Sequence, residues 1–375
     1  NILYVNLLNH FLQKEKSDYL KNKLKQTINF INTEFISENN LLGSAYDADS
    51  EGVEGKYYIW KYDDIKNKLK DKFEIFNKKY LITKEGNFEG SNILIENRNN
   101  KLTDEELSKA KEAENLLLIE RKKRIKPFFD NKIQTDLNCY WLYSNLYSSL
   151  ILDDQELYKK TISSINHMNE NLKDNVFHCY NKKKQEIDVF LEDYAYYCLL
   201  LITLYEINND KISLEKCEKK MEETWNLFFN KENNLLQKNI LKYNDLFVQP
   251  LDISDSNIPN GNSIYLLICS KLSNITNNNL WAEKLNILSK SFHTFVNYNF
   301  SQMFSYLKIL DICEENISVT LHGKINEKLK NEILMKFMGN VSIVYKESAE
   351  EFFVVICKNQ TCSEKLKDLI QINEY

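Results

Sequence analysis

Leu3, Val5, Leu7, Leu8 and Phe11 line one face of a helix at the start of the chain. After Ser17-Asp18, which suits an N-cap, Leu20, Leu24, Ile28, Ile31 and Phe35 recur at helical spacing, so two helices are predicted within 1–38. The pattern breaks over 43–60 and returns as a helix over 62–80. Thr103-Asp104-Glu105-Glu106 is a capping-box signature that starts a long charged helix running to about Arg124, and Pro127 stops it. From 136 to 312 the periodicity predicts helices at 136–152, 155–171, 189–208, 213–230, 260–273, 277–296 and 299–312, with longer connections near 172–188 and 231–258. Paired helices of this length point to stacked αα-hairpins. After Glu315 the pattern changes. Ile317–Leu321 alternates like a strand, a helix follows over 325–338, and Val341–Tyr345 and Phe352–Ile356 are strand-like. The predicted organisation is a helical domain over 1–315 and a small α/β segment over 316–375.

The stretch 43–60 is the likeliest seat of chemistry. Three of the eight glycines (Gly43, Gly52, Gly55) and four carboxylates (Asp47, Asp49, Glu51, Glu54) fall in it, followed by the apolar run Tyr57-Tyr58-Ile59-Trp60. It reads as a tight acidic loop leading into a short strand. Asp47, Asp49, Glu51 and Gly52 occupy positions one, three, five and six of a calcium loop, but position twelve is Tyr58 where a bidentate Glu is required. No metal is expected. Clustered carboxylates do suit acid–base work on sugars; the structural alternative is a set of solvated loop acids. A second glycine-bounded loop, 86–94, carries Asn87, Glu89 and Asn92. Glu192-Asp193-Tyr194 opens a strongly apolar helix, where an acidic first turn would also complement the helix dipole. Asp255 with Pro259–Ser263, including Asn262, marks a helix-start turn. The five histidines show no ligand spacing, and His178 beside Cys179 is only a weak metal hint. Arg121, Arg124, Lys126 and Lys132, near Asp130, form a basic strip typical of a solvated face.

Net charge of −5 and a pI near 5.8 argue against a nucleic-acid partner, and no apolar run approaches a membrane span. The eight cysteines contain no CxxC pair, and Cys357 and Cys362 form the only close pair. Reduced thiols and a cytoplasmic location are therefore expected. No P-loop, GxGxxG or GxSxG motif appears, and no cofactor is expected. The chain begins at Asn1, already within a helical pattern, as a fragment or processed chain would.

Five stretches occur in order: SAYDADSEGVEGKYYIW, GNFEGSNIL, Arg121…Arg124…Pro127…Asp130-Asn131-Lys132, FLEDYAYY with Leu204-Tyr205-Glu206, and PNGNS. Together with the terminal VVICKNQTC they resemble the spermatogenesis-associated, thioredoxin-domain-containing family (YyaL type) over nearly the whole chain. The resemblance implies a mainly α fold, an incomplete (α/α)6 toroid similar to six-hairpin glycosidases and N-acylglucosamine epimerases, with the small C-terminal α/β appendage. It also implies that an N-terminal thioredoxin-like domain and the first toroid helices are missing. The chain departs from the family at Leu137 and Cys139, where a Trp-Asn-Gly turn is typical, and at Asn260. The expected function is a carbohydrate-active or carbohydrate-binding domain of epimerase- or glycosidase-like chemistry. Asp47 or Asp49 would be the acid–base group and Glu192 or Asp193 its partner across the ring. Glu51, Glu54, Trp60, Asn87, Glu89, Asn92, Asp130, Tyr194, Asp255 and Asn262 would line the sugar site. The alternative is a non-catalytic helical scaffold that works with a thioredoxin-fold domain or protein.

Overall fold

The computed structural model describes the chain except residues 182, 185–187, 241–249, 252, 338, 360 and 374–375, so the predicted connections 172–188 and 231–258 lie partly outside the described residues. Two compact units emerge, one formed by 1–43 with 131–375 and the other by 44–130.

In the larger unit the chain opens with α1 (Ile2–Lys14) and α2 (Asp18–Glu34), the latter capped by Ser17, whose Oγ accepts from Leu20 N at 3.3 Å. The smaller unit holds α3 (Tyr62–Leu69), α4 (Phe73–Lys79) and α5 (Asp104–Lys122). Its core is Trp60, Ile65, Leu69, Phe73, Phe76, Ile82, Ala113 and Leu117. The single helix expected over 62–80 is divided at Lys70, whose φ of 49° breaks the helical run. The capping box at Thr103 and Glu106 forms as predicted.

The larger unit resumes with α6 (Thr135–Leu152), α7 (Gln155–Asn171), α8 (Leu191–Asn208), α9 (Lys211–Phe228), α10 (Gly261–Thr276), α11 (Asn279–Asn299) and α12 (Phe304–Glu315). Burial sorts these helices into two layers. Helix α8 is apolar all round and buried on every face, and α6 nearly so, as an interior helix must be. Helices α2, α7 and α9 each bury one stripe, such as Leu24, Ile28 and Ile31 in α2, and keep a polar face outward. The packing follows from this. Inner helices α1, α6, α8, α10 and α12 neighbour one another in that order, and α2, α7, α9 and α11 each back the inner helix that precedes them. His10 Nε2 lies 3.3 Å from Lys308 Nζ, which returns α12 to the side of α1. The fold is therefore mainly α, an α/α toroid of four hairpins and a fifth inner helix. Asparagine or aspartate in the left-handed conformation ends α6, α8, α10 and α12 at Asp153, Asn209, Asn277 and Asn316.

The outer helices return the chain, so α6, α8 and α10 run parallel and their N-termini share one end. There Tyr140 and Tyr196 pack at 4.9 Å between centroids. A Cβ on Gly261 would lie 2.8 Å from Leu191 Cγ, so only glycine lets α10 approach α8 this closely. The opposite ends are covered by the C-terminal segment. Strands 317–322 and 342–346 pair in parallel through the crossover helix α13 (Glu327–Phe337), and strand 353–358 pairs antiparallel on the other side of 317–322. Buried Lys271 of α10 binds Glu206 of α8 at 2.7 Å and the Val341 carbonyl, while Tyr345 Oη donates to the Glu206 carbonyl at 2.7 Å. The LYE motif is thus a lock between the helical ring and the sheet.

Three further expectations are corrected. The face expected of α1 is not the buried one: Leu3, Leu7 and Phe11 are exposed, whereas Asn6, Asn9 and Leu12 are buried with Val5 and Leu8. Tyr57–Trp60 is a turn rather than a strand, because Gly55 at φ 69° folds the chain back and its carbonyl accepts from both Tyr58 N and Ile59 N. Cys357 and Cys362 are not free thiols: they face each other across a β-ladder and form a disulfide. The other six cysteines are free, as expected. No helix among the described residues is long and apolar enough to cross a membrane.

Candidate functional site

Three segments of the larger unit meet at the N-terminal ends of α6 and α8. Asp136 lies in the first turn of α6, Asp193 in the first turn of α8, and His178 just before the short strand 179–181. That strand pairs antiparallel with Ile133-Gln134, and Thr135 N donates to the His178 carbonyl at 2.8 Å, which fixes His178 against the start of α6. His178 Nδ1 lies 3.1 Å from both carboxylate oxygens of Asp193, and Asp193 Oδ2 also accepts from Phe190 N at 2.9 Å. One donor atom each from Asp136, His178 and Asp193 falls within 4.8 Å of the others. Such a set could hold a metal ion in principle, but the His178 ring nitrogen and the Asp193 carboxylate already satisfy each other, so an ion would have to displace a formed hydrogen bond.

Burial and mutual charge shift all three groups. Asp136 is pushed up to about 6, first by burial and then by the negative charge of Asp193. Burial alone would lower His178, but the hydrogen bond and charge of Asp193, with the charge of Asp136, outweigh it and hold the imidazole above its usual value. Burial lifts the Asp193 carboxyl, which the His178 hydrogen bond opposes. Asp193 is fully buried, whereas Asp136 and His178 keep partial access to solvent. The arrangement can therefore store a proton on Asp136 near neutral pH and supply it outward, with Asp193 and His178 behind it.

Of the residues singled out from sequence, Asp193 is at this cluster. Glu192 is buried beside it at the start of α8, and Tyr194 is buried against Phe228. Asp255 staples the start of α10 to α12, its Oδ1 accepting from Asn260 N and Nδ2 and its Oδ2 from Ser305 N. Asn262 exchanges two hydrogen bonds with the backbone of Leu236, as Asn138 does with Leu42. Their amides are committed to structure.

The remaining predicted residues belong to the smaller unit. Asp47, Asp49, Glu51 and Glu54 are all exposed; Asp47 Oδ1 accepts from Asp49 N at 3.2 Å, and Glu51 pairs with Lys56 at 3.0 Å. Asn87 and Asn92 spend their side chains on the backbone of Leu81, Ile93 and Thr83, and the Trp60 and Asn92 backbones pair. Glu89 is exposed at φ 45°, and Asp130 pairs with Ala45. Arg124 is not part of a solvated face. Its Nη1 donates to the carbonyls of Lys56, Tyr57 and Ile59, and its guanidinium stacks 3.9 Å from the centre of the Trp60 ring. Sequence reasoning missed Asp136 and gave His178 little weight. The available signal was an acid at a helix start and a histidine in a connection, neither distinctive alone.

No family model matches the chain, and no curated protein matches it. Among solved structures it is similar to a family 76 glycoside hydrolase from a bovine Bacteroides thetaiotaomicron strain, at 15% identity and a TM-score of 0.36, over 45% of this chain and 37% of that one. This chain thus spans well under two thirds of that enzyme. A GH76 α-mannanase of Bacteroides thetaiotaomicron matches at 14% identity and a TM-score of 0.38, over 66% of this chain and 77% of that one. A family 105 glycoside hydrolase of C. acetobutylicum matches at 13% identity and 0.37, over 80% and 79%. Likeness at this level is too slight to assign an activity.

Proposed function

We propose that this chain is a carbohydrate-active or carbohydrate-binding domain in which Asp136 is the acid–base residue. The observation that carries the reading is a pair of carboxylates within 4.8 Å, one of them raised to about 6. Two carboxyl groups held close together, one of them keeping its proton up to about pH 6, suit proton transfer at a sugar oxygen or ring carbon. The spacing is close to the roughly 5 Å at which a second carboxylate acts as nucleophile. Asp193, however, is fully buried and held by His178 and Phe190 N, which supports a positioning role. Asp136 would donate its proton to a leaving oxygen or exchange it with a ring carbon, and the Asp193–His178 pair would set its proton affinity. We further propose Asp47 or Asp49 as alternatives to Asp136 for the acid–base group, and membership of the spermatogenesis-associated, thioredoxin-domain-containing family.

The test is turnover of a panel of hexoses, amino sugars and oligosaccharides by the chain and by Asp136→Asn. Loss of turnover in the variant with an unchanged fold supports the assignment. Equal turnover in the variant removes Asp136 from the chemistry. A second reading, a helical scaffold acting with a thioredoxin-like domain or partner, draws on the complete burial of Asp193. It predicts no turnover and stable capture of a thioredoxin-fold protein.

A further inference from the structure

A cavity of about 460 Å³ opens beside the segment that carries His178, lined by Glu38, Asn39, His167, Asn171, Phe177 and Tyr180 together with Asp174 and Asn175. Its size falls in the range of small-ligand sites. All of these residues belong to the larger unit, and none was singled out for the cluster described above. Phe177 and Tyr180 flank His178 in the chain, so one short segment presents an imidazole to Asp193 and two rings to this cavity.

The polar groups converge on one atom. His167 Nε2 accepts from Asn39 Nδ2 at 2.8 Å and from Asn171 Nδ2 at 3.0 Å, and Tyr180 Oη lies 3.4 Å away. Both amides have their NH2 groups turned to the imidazole, and the Oδ1 atoms of Asn39 and Asn171 make no hydrogen bond with the described residues. The wall therefore offers amide and carboxylate acceptors beside the Tyr180 hydroxyl. Phe177 and Tyr180, edge to face with centroids 5.7 Å apart, form an apolar floor.

This chemistry selects a ligand class. No lysine or arginine lines the cavity, so a phosphate or carboxylate finds no counter-charge. Acceptors set around an aromatic floor fit vicinal hydroxyl groups above a face of C–H bonds, which is the surface of a pyranose ring. We propose that the cavity is a binding subsite for a neutral sugar unit of an oligosaccharide, with Asn39 and Asn171 as its hydroxyl-recognising residues. The inference rests on the carbohydrate reading and deepens it by placing a second sugar unit away from Asp136.

The experiment is calorimetric titration of the chain with mannotetraose, maltotetraose, cellotetraose and chitotetraose, repeated with Asn171→Ala, Asn39→Ala and Asp136→Asn. The expected result is binding of at least one tetrasaccharide that each asparagine variant weakens by up to about tenfold, the scale of one hydrogen bond, with a cooperative melt retained at a slightly lower temperature, since Asn39 sits at φ 53° and Asn171 donates to His167 and Tyr180. Asn39 is exposed on a loop, so its variant decides the matter if Asn171→Ala fails to fold. Binding that Asp136→Asn abolishes and both asparagine variants leave intact overturns the subsite while the carbohydrate reading stands. Binding of none of the four overturns both.

Discussion

The Asp136 and Asp193 carboxylates reach within 4.8 Å of each other although they open two different helices, and His178 Nδ1 closes the group at 3.1 Å from Asp193. Two helix N-termini and one strand end must be brought together to make this contact. The inner helices do so because they run parallel.

The first prediction concerns pH. The folded-state values of Asp136 and His178 are both raised. Groups raised in this way contribute stability that is fully present below their unfolded values and lost as pH rises through their folded ones. The stability contributed by Asp136 should therefore fall as pH rises from about 4 to about 6, and that contributed by His178 as pH rises above about 6.5, against the opposite trend of His10, whose value burial lowers to about 4. Asp136→Asn removes the Asp136 part and should flatten the curve over pH 4 to 6, which thermal melts of both proteins at matched ionic strength would measure. A curve of the same slope in the variant would mean that Asp136 does not titrate there.

Removing His178 leaves Asp193 buried without its partner. His178→Ala should destabilise the chain by about 3 kcal/mol, the cost of an uncompensated buried charge, whereas Asp193→Asn/His178→Ala together should cost less than the sum of the single changes. Urea denaturation of the double-mutant cycle gives the coupling directly.

Glu206 and Lys271 form a fully buried pair between α8 and α10 that also holds strand 342–346. Glu206→Ala should cost about 3–5 kcal/mol, and amides of 342–346 should lose protection from hydrogen exchange before those of α6. Retained protection of that strand would place the lock elsewhere.

Gly261 allows α10 to meet α8, since a Cβ there would lie 2.8 Å from Leu191 Cγ. Gly261→Ala should destabilise by about 1–3 kcal/mol despite its better helix propensity, and Leu191→Ala in the same chain should recover part of that loss. Chemical denaturation of the three variants checks the sign.

Asp49 is exposed in its loop, so Asp49→Asn should change stability by no more than about 0.5 kcal/mol. Any sugar turnover lost in this variant would then report chemistry and not folding, which makes it the clean test of the loop acids.

Helices were legible from sequence because their signals are local. The apolar stripe of α2, the capping box at Thr103 and the strongly apolar run of α8 each lie within a few turns, and so do the alternation and crossover of the C-terminal α/β segment. The run Tyr57–Trp60 misled, because aromatic residues suited to a strand are folded by Gly55 into a turn that Arg124 clamps from far along the chain. Asp193 was visible as an acid opening a helix, but that position is equally explained by the helix dipole. Asp136 and His178 carry only the undistinctive local signals of an acid at a helix start and a histidine in a connection. A carboxylate acquires an unusual proton affinity only when burial and a second charge surround it, and those neighbours come from α8 and from the segment before strand 179–181. The sequence by itself determined where the helices lie and which face α2 buries, but not the face of α1, where Leu3, Leu7 and Phe11 are exposed and Asn6 and Asn9 buried. Only the tertiary packing, which sets the inner helices parallel and gathers their N-termini at one end, decided which acids meet.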